Sequence, residues 1–232
     1  MSSGDEGARG APERSPAAGR AGAYPPRPFR ETRPDVLAAF IRANPFGQLI
    51  TAGASGLQAC GAPFILRQGD QGFRLEAHLA RANPQACRDG AEALVLFHGP
   101  HAYVRPAWYE TKKRDGRAVP TWDYIVVQAR GSISLVEDPA RLRAHLEALS
   151  AQQESGFADP WSPADAPEGY IEQLMRGIVG LSLDVVELEG VWKLSQNHPR
   201  ENRLGVIAGL SAMGEPGASA IAAAIAERED GG

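Results

Sequence analysis

The sequence predicts an α+β protein built on a mostly antiparallel sheet, curled into a barrel. Three observations point there. Short strand-like stretches come early and most helical patterns come late, without the regular strand–helix alternation that a doubly wound parallel sheet requires. Neither G-x-G-x-x-G nor G-x-x-x-x-G-K-[ST] occurs, so a Rossmann or P-loop reading has no support. No internal repeat is present either, and 232 residues allow one domain with a real core plus an appendage.

Residues 1–23 are rich in Gly, Pro, Ser, Ala and Arg and carry no large hydrophobe after Met1. They cannot offset the entropy of folding and are expected to be a disordered tail. A domain is expected over 24–212, followed by a C-terminal helix or tail over 213–232. "ETRPDVLAAFIRANP" reads as a helix: Thr32 as cap, Pro34 and Asp35 in the first turn, Val36, Leu37, Phe40 and Ile41 at helical spacing, and Pro45 as the stop. "GQLITAG" and "LQACGAPFIL" read as strands around an "ASG" turn. "RQGDQG" is a second turn before the strand "FRLEAHL". "ALVLFHG" is an apolar strand that ends in a Gly99-Pro100 turn. "YIVVQARGSISLVED" is a long strand or bent pair with Gly131 as its bulge. "DPARLRAHLEALSAQQE" is an amphipathic helix capped by Asp138, with Leu142, Leu146 and Leu149 as its buried stripe. "APEGYIEQLMRGI" is another helix, and "VGLSLDVVELEGVWKLSQN" reads as strand, turn, strand. "RENRLGVIAGLSAM" and "PGASAIAAAIAERED" close the chain as helices.

Composition excludes several function classes. Hydrophobic residues make up 43% and charged residues 22% of the chain, with a net charge of −4. A protein gripping many phosphates of DNA carries a basic surplus, and no helix-turn-helix with a basic recognition face is visible. No apolar run reaches the roughly 20 residues needed to span a bilayer. The two cysteines, Cys60 and Cys87, show no metal-ligand spacing. Without a signal peptide they are expected to be reduced thiols in a cytoplasmic protein, with Cys87 a small buried filler.

Several stretches could carry chemistry. In "AHLARANP", His78 ends a strand and Arg81 and Asn83 follow. The guanidinium fork and the amide both suit phosphate oxygens, and His78 can donate to the same group or offer a neutral nitrogen to a metal. A capped turn with a solvated arginine is the alternative. In "HGPHAYVRPAWY", His98 and His101 lack the partners of a zinc site. Tyr103, Trp108 and Tyr109 could stack on a planar cofactor, core a dimer interface, or form a small core under a loop. Lys112, Lys113, Arg114 and Arg117 surround Asp115-Gly116 in an expected exposed turn, solvated or anion-binding. Thr121, Trp122 and Tyr124 start one strand, while Trp192, Lys193, Ser195, Gln196 and Asn197 end another. Polar residues gathered at strand ends are where a barrel presents a ligand site.

Together, "RPFRET", "ANPFGQLIT", "HLARANP", "FHGPHAYVRPAWY", "VPTWDYIVV", "PWSPADAPEGYIEQLMRGIVGLSL", "EGVWKLSQN" and "NRLGVIAGL" resemble, in this order, the PaiB family. Its members are described as FMN-binding negative transcriptional regulators. The resemblance runs from about Tyr24 to about Leu210. It implies a split β-barrel of the FMN-binding type with flanking and C-terminal helices. It also implies a homodimer with the cofactor at the subunit interface and a regulatory or redox role. Arg81 and Asn83 would then hold the phosphate end of FMN. His78, His101, Tyr103, Trp108, Tyr109, Thr121, Trp122, Lys193, Gln196 and Asn197 would be candidates for lining the site.

The chain departs from the family pattern at three places. Cys60-Gly61 stands where the family usually has an Asn-His or Ser-His pair, Gln128 where it usually has His, and Asp123 makes "TWDY" where "TWNY" is commoner. Replacing an imidazole by Gly61 removes a side chain. The family also includes a haem-dependent branch, the piperazate synthases, which form an N–N bond by cyclising N5-hydroxyornithine. On that alternative haem b needs an axial ligand, for which His78 is the first candidate and His101 the second. A third reading is a cofactor-less interaction module whose aromatics serve dimer packing.

Overall fold

The structure, a computed structural model, describes residues 25–53, 56–69, 72–87 and 89–230. The expected tail over 1–23, the tips of the first two hairpins and the Cys87 side chain lie outside the described residues. Eight strands form one antiparallel sheet: β1 Arg30–Glu31, β2 Phe46–Gly53, β3 Gly56–Pro63, β4 Ile65–Gly69, β5 Gly72–Ala80, β6 Glu92–Val104, β7 Thr121–Val136 and β8 Ile178–Lys193. Their order is β3-β2-β6-β7-β8-β5-β4, with β1 added on β8. The first and last strands of that order are consecutive in the chain, separated only by the buried Phe64. The sheet therefore curls round on itself. Among the described residues the α-helices are α1 Pro34–Ala43, α2 Lys112–Asp115, α3 Pro139–Glu154, α4 Tyr170–Met175, α5 Arg200–Met213 and α6 Pro216–Asp230.

Alternation fixes which residues face inward. Leu49, Leu75, Val95, Phe97, Val127, Ala129, Leu181 and Leu183 are all buried in one core, as period-2 patterning requires. Helix α1 covers one opening with Leu37 and Ile41, and Phe40 meets Trp192 edge-on at 5.3 Å. On the outer face of the sheet, α3 and α4 build a second cluster from Leu142, Ile171 and Met175, with Leu146 packed against it. Helices α5 and α6 add Val206, Leu210, Ile221 and Ile225 to the main core. The C-terminal helix is thus part of the domain's packing.

Several elements differ from the sequence reading. The Gly99-Pro100 turn is a bulge inside the continuous strand β6, where the register with β7 shifts between His98 and His101. A Cβ on Gly99 would lie 2.7 Å from the Phe40 ring. The strand, turn and strand expected over 179–197 are replaced by the unbroken strand β8, where a Cβ on mid-strand Gly190 would lie 2.2 Å from Trp192. Both glycines mark close approach rather than chain reversal. The expected single strand over 57–66 breaks at Phe64, and the helix expected over 166–178 shrinks to α4. The basic run folds as one exposed helical turn, α2, ended by Gly116 at φ 72°. Thr32 does not cap α1. Glu31 accepts the Thr32 and Arg33 backbone N–H groups on Oε1, both at 3.0 Å, and pairs with the Arg33 guanidinium. That pairing holds the Glu31 carboxyl at about 2. Asp138 caps α3, accepting the Arg141 N–H at 2.8 Å, and the Gly131 bulge forms where a Cβ would meet the Asp184 carbonyl at 2.0 Å. Among the described residues no helix is long and apolar enough to cross a membrane.

Candidate functional site

The candidate site residues fall into three groups. The first lies on and after β5. His78 is half-buried on the outer face of the sheet, where its Nδ1 lies 3.1 Å from Nε2 of His145 on α3. Burial lowers the pKa of both rings, that of His145 to about 4. Both are therefore neutral at neutral pH, and one ring donates its N–H to the other. Arg81 donates to the Arg176 carbonyl at 3.1 Å and meets Glu137 at 3.4 Å. The Oδ1 of Asn83 accepts the Gln85 N–H at 2.9 Å, which seats Gln85 against Thr51 in the core.

The second group is the outer face of β6 and β7. The bulge in β6 changes the parity of the strand, so His98 and His101 both face outward although three residues apart. His101 and Tyr103 each contact Trp122 with ring centroids 5.9 Å apart. Tyr103 is 41% and Trp122 53% exposed. On the same face, Gly61, Gln48, Leu96 and Gln128 form one row across four strands. The two departures at Gly61 and Gln128 thus lie in a single line, and a side chain at Gly61 would collide with the Phe46 ring at 2.7 Å.

The third group surrounds a cleft of about 440 Å³ at the ends of β7 and β8, lined by Tyr109, Arg117, Thr121, Asp123, Lys193, Asn197 and others. Asp123 is fully buried. Its Oδ2 accepts the Ser195 hydroxyl at 2.6 Å and its Oδ1 lies 3.4 Å from Lys193 Nζ. Lys193 also donates to Thr121 Oγ1 at 2.7 Å and to the Trp122 carbonyl. Burial raises the Asp123 pKa, while Ser195 and Lys193 pull against that rise. Ser195 has φ 56°, a left-handed conformation that costs a non-glycine residue about 1 kcal/mol or more. Its bond to Asp123 and the His198 N–H on its carbonyl hold it there. Tyr109, 3% exposed, stacks on His198 at 4.7 Å, and its hydroxyl has no partner among the described residues. Burial raises the Tyr109 pKa and lowers that of His198.

The remaining candidates serve packing. Trp108 lies under α5, where a Cβ on Gly209 would sit 2.3 Å from its indole and one on Gly205 would sit 2.1 Å from its carbonyl oxygen. Gln196 accepts the Leu194 N–H at 2.7 Å and donates to the Pro28 carbonyl at 3.1 Å. Sequence reasoning marked Asp123 only as a departure from "TWNY", and passed over Ser195 as its partner, His145 and His198. A carboxylate or histidine whose partner is distant in the chain leaves no local signal. No hydrogen bond, ion pair or ring contact joins the first group to the other two among the described residues.

The second group fits a planar ring: Tyr103 and Trp122 expose aromatic faces on one side of β6 and β7. With its Nδ1 engaged by His145, His78 keeps Nε2 as the ring nitrogen that could meet a metal.

An antiparallel sheet curled so that its outermost strands are neighbours in the chain, with helices on its flanks, is a split β-barrel of the FMN-binding type. The family described as "Putative FMN-binding domain" matches residues 23–187, and the chain belongs to that family. An uncharacterized protein of Emericella nidulans is 34% identical over 236 residues, covering 85% of this chain and 94% of the relative. The protease synthase and sporulation protein PAI 2 of Bacillus subtilis is 29% identical, covering 86% of this chain and 94% of the relative. The PaiB resemblance read from the sequence is thereby met. Among solved structures, the FAD and haem binding protein from Mycobacterium smegmatis shares the fold, with TM-score 0.53, 15% identity, and coverage of 81% of this chain and 80% of that one.

Proposed function

We propose that this protein binds FMN as a homodimer of split barrels, with the cofactor at the subunit interface, in a redox or regulatory role. One observation carries the reading. His101, Tyr103 and Trp122 form an open aromatic face on β6 and β7. The same face of the sheet continues through the half-buried Ile50, Leu94, Leu96 and Val126 to Leu57, which is 78% exposed. Such a face stacks a planar ring and buries against a second copy. When bound, the flavin supplies electron or hydride transfer. Tyr103 and Trp122 hold and orient its ring. Arg81, whose guanidinium is tied among the described residues by a carbonyl and a loose 3.4 Å ion pair, turns to the phosphate beside Asn83. The family description, and the flavin in the name of the mycobacterial neighbour, support this reading.

Regulation, on this proposal, acts without direct DNA contact, since the net charge is −4. The free Cys60 thiol accords with a reducing, cytoplasmic setting. The test is the absorbance spectrum of the purified protein, an FMN titration followed by Trp fluorescence, and the mass in solution. Flavin bands or saturable FMN quenching, together with a dimer mass, are expected, and Trp122→Ala should weaken FMN binding about tenfold, the scale of one stacking contact. A colourless monomer without FMN affinity overturns the proposal in favour of an interaction module without cofactor. A sequence-specific gel shift at physiological salt would overturn the indirect mode of regulation.

A further inference from the structure

The cleft at the ends of β7 and β8 takes Thr121 and Asp123 as lining, which alternate along β7 with the outward Trp122 of the aromatic face. Its groups divide into those already engaged and those left over. Asp123, its buried carboxylate, is neutralised by Lys193 and bonded by Ser195. Lys193 has three acceptors for its three N–H groups. What remains is donor capacity. The Tyr109 hydroxyl is buried and unpartnered. The Arg117 guanidinium and the Asn197 amide have no hydrogen bond or ion pair among the described residues, and both line the same cleft. A buried hydroxyl without a partner costs about 1–3 kcal/mol, so the arrangement persists most readily where a ligand completes it. With Asp123 and Lys193 cancelling, Arg117 leaves the cleft positive. Its leftover groups are chiefly donors.

We infer that this cleft is an oxyanion site, taking a small carboxylate or phosphate between the Tyr109 hydroxyl, the Arg117 guanidinium and the Asn197 amide. The hydroxyl donates one hydrogen bond and the guanidinium supplies a charge-assisted pair. The raised Tyr109 pKa keeps that proton in place at neutral pH. Nearby, His198 is kept neutral by burial and supports the Tyr109 ring by stacking. The site stands on its own residues and does not require the flavin reading. The anion has two possible sources: the phosphate of a bound nucleotide cofactor, or a separate acidic substrate.

Calorimetric titration of the full chain with inorganic phosphate and with succinate, at constant ionic strength set by sodium chloride, tests the site. Saturable binding of at least one anion is expected. Tyr109→Phe keeps the stacked ring and should weaken that binding about tenfold, and Arg117→Gln should weaken it by as much or more, the scale of a lost hydrogen bond to a charged group. The far-ultraviolet circular dichroism and melting midpoint of the Arg117→Gln variant should match the parent, since Arg117 is exposed. Parallel titrations with FMN and riboflavin separate the sources. If both substitutions weaken FMN and leave riboflavin unchanged, the cleft holds the cofactor's phosphate. If FMN is unchanged while the free anion is weakened, the cleft holds a substrate. Failure of both anions and FMN to bind, or binding that neither substitution alters, overturns the inference. Failure of FMN alone, with anion binding intact, overturns the flavin reading and leaves the oxyanion site standing.

Discussion

Two buried histidine contacts in this molecule look alike and do opposite things. His78 meets His145 with ring centroids 5.3 Å apart, and Tyr109 meets His198 at 4.7 Å. In both, desolvation lowers the histidine pKa. The difference lies in the atoms used. His78 and His145 meet nitrogen to nitrogen, which fastens α3 to the barrel and leaves the His145 Nδ1 buried without a partner among the described residues. Tyr109 and His198 meet face to face, so the phenol oxygen is left unspent at the edge of a cleft. Burial and pKa direction alone would rank the pairs as equal candidates for chemistry. The room beside the leftover polar atom separates them: about 440 Å³ at Tyr109 and about 40 Å³ at His145.

That contrast can be broken from either side. Removing the buried countercharge in the cleft should have the largest effect. Asp123→Ala leaves the half-buried Lys193 ammonium and the strained Ser195 without their partner and should cost about 3–5 kcal/mol, read from the urea midpoint. A loss under about 1 kcal/mol would mean that the cleft is not held by this pair. The histidine clamp should show itself in pH. The folded pKa of His145, about 4, lies below its unfolded value of about 6.5. The unfolded chain therefore binds the proton first, and stability present above pH 6.5 is lost as pH falls toward 4, by up to about 3 kcal/mol. His145→Leu should flatten that part of the stability profile. Glu31 acts in a lower window: its carboxyl is held at about 2, so its contribution is lost only below about pH 4.5, and Glu31→Gln should leave the slope between 4.5 and 6.5 unchanged.

A third, smaller effect reaches the cleft through packing. Gly209→Ala drives a methyl into the Trp108 indole and should cost about 1–3 kcal/mol by overpacking. It should also loosen the neighbouring Tyr109, visible as faster amide exchange around 105–111. The smallest stability effect belongs to Arg81. Its ion pair is exposed on both sides, so Arg81→Ala should change the melting free energy by less than about 1 kcal/mol. FMN affinity measured on the same variant should still fall about tenfold if the guanidinium holds the phosphate. An unchanged affinity would move the phosphate away from β5.

Much of this was legible beforehand, and the parts that were not share a cause. The Gly131 bulge, the Asp138 cap and the α5 and α6 helices follow from local residue order. So does the family membership, which rests on stretches such as "HLARANP" and "KLSQN". The glycines misled where sequence could not see across the barrel. Gly99 and Gly190 look like turn residues, yet each sits mid-strand because Phe40 or Trp192 occupies the space of a side chain. The candidate site was read as one lining set, and the structure sorts the same residues into a histidine clamp, an aromatic face, a donor-rich cleft and two packing positions.

By itself the sequence determined the strand and helix content, the antiparallel barrel and the family, because periodicity, caps and ordered motifs are properties of neighbouring residues. Only the tertiary structure decided which polar atoms are used up. Asp123 meets Lys193 and Ser195 across about seventy positions of chain, and His78 meets His145 across 67. Pairing at that distance is set by sheet register and helix packing, and in the cleft it leaves Tyr109, Arg117 and Asn197 able to bind something else.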